Sequence, residues 1–198
     1  MNDLPVRVEF SRLRDFIAAA LRQLGMPDSD ALSVATLMAE ADLQGSDGHG
    51  VMRLPQYARR IRAGGFNLHP AMRVVQERPG MALLDGDNGM GHLVMARAAE
   101  LAIAKARVAG VAWVGARMSN HAGPASLYAR MPLAHDMIGM YFAVGNANHL
   151  PPWGGLDMLL STNPIAVAVP AGSEAPVVLD MATTVAAQVR FPASERCA

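Results

Sequence analysis

Apolar residues recur at helical spacing over the opening of the chain and then give way to short unbroken runs. From Ser11 the apolar positions Leu13, Phe16, Ile17, Leu21 and Leu24 keep an i, i+3, i+4 rhythm, which predicts a helix capped by Ser11 and stopped at Gly25. A second helix is predicted from a cap at Asp28 or Ser29, through Leu32, Ala35, Leu37, Met38 and Ala41, to Gly45. A third takes Pro55 into its first turn, passes Tyr57 and Ile61 and ends at Gly64-Gly65. Residues 1–68 are therefore expected to form an N-terminal unit of three helices.

From about residue 71 the rhythm changes. MRVVQE and MALLD read as strands flanking the turn Arg78-Pro79-Gly80, and a long helix is predicted over His92–Ala109. VAWVGA, MIGMYFAVG, IAVAVP and PVVLDM read as further strands, with a helix around Ala125–Ala134 between the first two. These strands are continuously apolar, the pattern expected when helices cover both faces of a sheet. The fold class is α/β: a three-helix unit, then a layered α/β domain with a mixed sheet over 69–187 that is not a Rossmann fold. After Ala187, residues 188–198 (QVRFPASERCA) lose apolar periodicity and are read as a tail, and an α/β sheet stopping there is expected to be incomplete at its C-terminus.

Composition narrows the function classes. Across 198 residues, 52% are apolar and 17% charged, with 17 basic side chains against 17 acidic ones. A neutral chain gives no electrostatic case for nucleic acid or an anionic membrane. No apolar run reaches the roughly 20 residues of a membrane span, and MNDLPVRVEF lacks the basic start and apolar core of a signal peptide. Cys197 is the single cysteine, so disulfide frameworks and cysteine metal sites are excluded and a reducing, cytoplasmic compartment is expected.

Gly48-His49-Gly50 places an imidazole between two glycines, four positions ahead of Arg53. Such a segment is either a plain helix–helix turn or a place where a ligand comes close to the backbone. If the chain from Gly50 is at least partly helical, His49 and Arg53 point the same way. An imidazole exchanges a proton near neutral pH, and a guanidinium grips a carboxylate with two parallel hydrogen bonds. Arg59, Arg60 and Arg62 read as a solvated helix face; His69, His92, His135 and His149 read as structural or surface residues, and no metal site is expected.

Ser119-Asn120-His121-Ala122-Gly123 follows a buried strand, where α/β sheets place ligands, although a helix-capping turn has the same composition. GNANHLPPWGG (145–155) is a Pro/Gly-rich loop, and VLDMATT (178–184) ends a strand on Asp180. Backbone N–H groups at that end can meet a phosphate and Asp180 a ribose hydroxyl, or the segment is a helix cap. DGDNGMGH (85–92) has Gly89-x-Gly91 but no third glycine and no acidic residue about 20 positions on, and reads as a turn capping the long helix.

In this order, ADLQGSDGHGVMRLPQY, GDNGMGH, SNHAG, PPWGG, STNPIAVAVP and VLDMATT resemble the malate/L-lactate/L-sulfolactate dehydrogenase family of NAD(P)-dependent 2-oxoacid reductases. That family includes ureidoglycolate dehydrogenase, 2,3-diketogulonate reductase and piperideine-2-carboxylate reductase. The resemblance implies an oxidoreductase moving a hydride between NAD or NADP and a 2-oxo or 2-hydroxy acid, working as a homodimer. It implies that His49 and His121 are acid/base residues and that Arg53 grips the substrate carboxylate, with Thr162 and Asn163 close to the site. It implies cofactor contacts at Asn146 and at Val178, Leu179, Asp180, Met181, Ala182, Thr183 and Thr184. Both imidazoles and the Arg53 guanidinium should then share a pocket beside the strand end bearing Asp180.

Two departures stand out. The family's serine before the histidine is Gly48 here, which removes a hydroxyl. Family members are also longer, and the resemblance breaks at about Gln188, so the chain is expected to be C-terminally truncated. The alternative function is a non-catalytic remnant that folds or associates without a complete cofactor site.

Overall fold

The computed structural model describes residues 7–145, 148 and 150–184. Two compact units divide the chain, residues 1–127 and 128–198.

The first unit opens with helices α1 (Phe10–Gln23), α2 (Asp28–Leu43) and α3 (Leu54–Arg62). Ser11 lies inside α1 rather than capping it: the helix starts one residue earlier, and Glu9 holds the cap position without a side-chain bond. Asp28 likewise sits in the first turn of α2, after Pro27, where its negative charge suits the N-terminal end of the helix dipole. Pro55 enters α3 in its first turn, as expected. The helices close on Ile17, Leu21, Val34, Met38, Leu54, Tyr57 and Phe66, a shared core.

That core does not stop at the change of rhythm near residue 69. Met90 is buried in it and Leu93 packs against it, both from the segment that opens the long helix. The first helices and the first sheet therefore belong to one compact unit, whose limit falls at 127.

β1 (Arg73–Arg78) and β2 (Met81–Gly89) form an antiparallel hairpin around Pro79-Gly80. From β2 the chain enters α4 (Gly91–Ala109) and returns along β3 (Trp113–Ser119), parallel to β2 and paired Met81 with Trp113 through Asp85 with Arg117. The sheet is thus mixed, in the order β1-β2-β3. α4 packs on it through Val94 and Ala98 against Leu84, with Val114 and Ala116 alongside. Trp113 stays 57% exposed, so the apolar letters of this strand do not mean cover on both faces.

DGDNGMGH is not a simple turn. β2 continues through Gly89, with a register shift between Asp85 and Gly89 and with Asp87 and Asn88 in the left-handed region. Asp85 is buried at this irregularity, takes the Asp87 N–H at 3.0 Å and receives Arg117 through Nε and Nη2 at 3.0 and 2.9 Å. The Asp87 N–H first, and Arg117 after it, hold the Asp85 carboxyl below its usual range.

The second unit contains a wholly antiparallel sheet, β4 (Gly139–Phe142), β5 (Ile165–Val169) and β6 (Val177–Met181), ordered β4-β5-β6. The helix expected around Ala125–Ala134 shrinks to one turn, α5 (Ser126–Ala129), followed by a 3-10 turn over Met131–His135. Pro132, with its fixed φ and missing N–H, opens a new turn rather than extending an α-helix.

Candidate active site

Two successive 3-10 turns, Asp47–His49 and Val51–Arg53, carry the chain from α2 into α3. Between them Gly50 lies against the carboxylate of Asp42: a Cβ there would sit 2.1 Å from Oδ1. The Val51 N–H donates to Asp42 Oδ2 at 2.7 Å, locking the carboxylate onto the turn. Burial raises the Asp42 pKa, and the Val51 bond opposes it. Glycine at 50 is thus required by packing, and it fixes where His49 can stand.

Arg53 folds back on the same turn. Its Nε donates to the Gly48 carbonyl at 2.7 Å and its Nη1 to Gln56 Oε1 at 2.8 Å. The residue is half-buried, with Nε and Nη1 held by its own turn.

The loop after β3 supplies the facing wall. Asn120 Nδ2 donates toward Gly89 O at 2.9 Å, Asn88 Oδ1 at 3.0 Å and Asn88 O at 3.1 Å, tying the exit of β3 to the end of β2. Arg60 Nη2 donates to Asn120 Oδ1 at 2.7 Å, and its guanidinium lies 4.8 Å from the centre of the Phe66 ring. Arg60 stays exposed, as expected of this helix face, and also ties α3 to this loop. Gly91 lets the loop come this close: a Cβ on it would meet Asn120 O at 2.1 Å and His121 O at 2.5 Å.

The result places His121 on His49. Their rings stack with centroids 5.5 Å apart and an interplanar angle of 17°. Tyr57, buried on α3, brings its hydroxyl 2.6 Å from His121 Nδ1. His121 keeps an exposed surface, so water reaches part of the ring. Crowding of the rest lowers its pKa below 6.5, and His49, Arg53 and Arg60 push the same way by charge repulsion.

His92 is the member that sequence reasoning set aside. It is fully buried in the first turn of α4, with its ring edge-on to Tyr57 at 5.8 Å and 84°. Neither ring nitrogen has a hydrogen-bond partner among the described residues. Burial first, then the neighbouring His121 and His49, push its pKa down to about 3. Tyr57 was also missed, being read only as an apolar helix position. A signal was present: Arg53, Tyr57 and Arg60 follow at steps of four and three, one face of a helix.

The remaining candidates lie in the second unit. Thr162 offers its carbonyl to the Thr183 N–H at 2.9 Å and hydroxyl at 3.0 Å, which fixes the turn after β6. Val178, Leu179, Asp180 and Met181 lie on β6, and Ala182, Thr183 and Thr184 follow it. Burial first, then the Asp180 charge, raise the Tyr141 pKa to about 12. Asn163 Oδ1 accepts the Gly145 N–H at 2.9 Å. Asn146 and His149 lie outside the described residues.

Among the described residues no three His, Cys, Asp or Glu side chains are grouped to hold a metal ion, and no helix is long and apolar enough to cross a membrane. A cleft of about 590 Å³ lies against Arg7, Val8, Glu9, Phe10, Arg12 and Leu43, none of them a candidate site residue.

Residues 8–196 match the family model described as malate/L-lactate dehydrogenase. The chain belongs to the malate/L-lactate dehydrogenase family. The family match takes in part of 188–198, the stretch expected to be a tail. Malate dehydrogenase of Pyrococcus horikoshii is 46% identical over 181 residues, covering 91% of this chain and 49% of that protein. L-sulfolactate dehydrogenase of Methanocaldococcus jannaschii is 39% identical over 170 residues, covering 86% and 49%. The solved structure of the Pyrococcus horikoshii OT3 malate dehydrogenase superposes with a TM-score of 0.87 at 45% identity, over 91% of this chain and 51% of that one. The chain thus spans about half the length of the curated family members it matches.

Proposed function

We propose that this malate/L-lactate dehydrogenase family chain takes part in NAD(P)-dependent interconversion of 2-oxo and 2-hydroxy acids. The observation carrying this reading is the stack of His49 on His121 beside Arg53 and Arg60. Four groups that are cationic or can become so attract a small carboxylate, and two of them are imidazoles, the side-chain type suited to giving and taking a proton.

Arg53 grips the carboxylate through its outer edge and turns the adjacent carbonyl toward the imidazoles, which is a positioning effect. Reduction at the carbonyl carbon moves the C=O π pair onto oxygen, and the developing alkoxide takes a proton from the histidine pair. Oxidation runs the same steps backward, with a histidine accepting the hydroxyl proton.

The residues after β5 fit a nucleotide cofactor. Asp180 is exposed and its carboxylate can accept hydrogen bonds from ribose hydroxyls, and the flanking Leu179 and Met181 are 47% exposed apolar surfaces for a planar ring. Val178, Asp180 and the Ala182–Thr184 turn, with Asn146, are the residues we assign to holding NAD or NADP. When bound, the nicotinamide supplies or takes the hydride. The reading extends to a homodimer in the cytoplasm; the single cysteine supports a reducing compartment.

Nicotinamide fluorescence tests this directly. Titration of the chain with NADH and NADPH should give saturable binding, and oxaloacetate, pyruvate or sulfopyruvate should then oxidise the cofactor. A folded chain that binds neither nucleotide sinks the reading and leaves the non-catalytic alternative standing.

A further inference from the structure

We propose that the two histidines divide the work: His121 acts as a neutral hydrogen-bond donor, with its proton held on Nε2 by Tyr57 and Gly123, and His49 carries the transferred proton. The division rests on the acid/base reading above and deepens it.

The argument starts from His121 Nδ1. The Gly123 N–H points at this atom from 3.4 Å, and a backbone amide can only donate. Nδ1 is therefore an acceptor. The Tyr57 hydroxyl, 2.6 Å from the same atom, then donates to it as well. A neutral imidazole that accepts at Nδ1 carries its hydrogen at Nε2.

The phenol is well placed to keep this arrangement. Tyr57 is 2% exposed and clamped edge-on by Phe66 at 6.1 Å and by His92 at 5.8 Å. Burial raises its pKa, so it always has a proton to give. The groups facing His121 are the imidazoles of His49 and His92, the phenol of Tyr57 and the guanidiniums of Arg53 and Arg60. All of these are neutral or positive. A proton added at Nδ1 would face the Gly123 N–H, reverse the Tyr57 hydroxyl and meet those positive charges.

The chemistry follows. An Nε2–H on a neutral ring can polarise a carbonyl oxygen, but giving that proton away would leave an imidazolate. The proton that completes the alkoxide must come from elsewhere, and His49 is the imidazole stacked beside it. Two like side chains held in different hydrogen-bonding environments is how acid and electrophile roles separate in one site. Tyr57 is then a positioning residue acting through His121.

The test uses the 198-residue chain labelled with ¹⁵N-histidine, with His121 assigned by its loss in His121→Gln. Long-range ¹H–¹⁵N correlation should show His121 protonated at Nε2 and bare at Nδ1 at pH 7.5, still neutral at pH 6. A proton on Nδ1, or a charged ring at pH 6, overturns the proposal. Tyr57→Phe should convert His121 to a mixture of tautomers; an unchanged signal in a folded variant removes Tyr57 from the role. Should that variant not fold, the native spectrum decides alone. In turnover, His49→Gln should cost on the order of 10²-fold in kcat and flatten the pH profile. His121→Gln should lower kcat and keep the profile; the reverse pattern overturns the division. Correct tautomers with no turnover would defeat the proposed function instead, so the two failures are distinct.

Discussion

Tyr57 and His121 are 64 positions apart in the chain, yet the phenolic oxygen of one lies 2.6 Å from Nδ1 of the other. Tyr57→Phe removes this buried bond and should cost about 1 kcal/mol of stability. A double-mutant cycle with His121→Gln in urea should give a coupling of about 0.5 kcal/mol or more. Strictly additive effects would show that the contact does not form in solution.

Arg53 donates Nε and Nη1 to its own turn, and under the proposed function the rest of its guanidinium meets the substrate carboxylate. Arg53→Ala should raise the KM for a 2-oxo acid by roughly 10²-fold, the loss of a charge-assisted pair. Arg53→Lys should recover only part of it, because an ammonium cannot form the two parallel bonds. A KM unmoved by either change removes Arg53 from substrate binding.

His92 should make the chain acid-sensitive. Its pKa is 6.5 when unfolded and about 3 when folded, so below pH 6.5 the unfolded state takes up a proton that the folded state refuses. Its contribution is therefore complete above pH 6.5 and is lost as pH falls toward 3, at about 1.4 kcal/mol per pH unit. By pH 5 the loss is about 2 kcal/mol. His92→Leu should flatten that slope in urea melts at pH 7, 6 and 5; an unchanged slope would place the acid sensitivity elsewhere.

Gly50→Ala drives a methyl into the Asp42 carboxylate, with 2.1 Å available. The turn must shift, at a cost of about 1–3 kcal/mol. Because His49 is the adjacent residue, kcat should fall with it. Asp42→Ala should relieve the clash and recover stability in the Gly50→Ala background; failure to rescue would point to backbone strain instead.

Much of the fold was readable from letters alone. Helical spacing located α1, α2 and α3 to within a residue or two, since an apolar stripe and its terminating glycines are local signals. Residues 125–134 misled because helix-favouring letters outweighed Pro132, which starts a separate 3-10 turn. The site divides in the same way. His49 and His121 were marked by glycine and asparagine neighbours, whereas His92, Tyr57 and Arg60 gained their roles only through contacts between segments far apart in sequence. Such contacts leave no periodicity. Arg60 is solvated like its neighbours Arg59 and Arg62; what sets it apart is its bond to Asn120, 60 positions away.

The passage from β2 through α4 and back along β3 sets two unequal standards for change. The outer surface of helix α4 is free to change by substitution, while Val94, Ala98 and Ile103 on its inner face are held in the core. β3 has no such latitude. Deleting one residue between Trp113 and Ser119 would exchange the strand's two faces and carry Asn120 off its acceptors on β2. Variants of this chain should therefore accumulate substitutions on the outer helix surface and no length changes in the strand, so the tolerance map of the crossover traces the site without reference to any substrate.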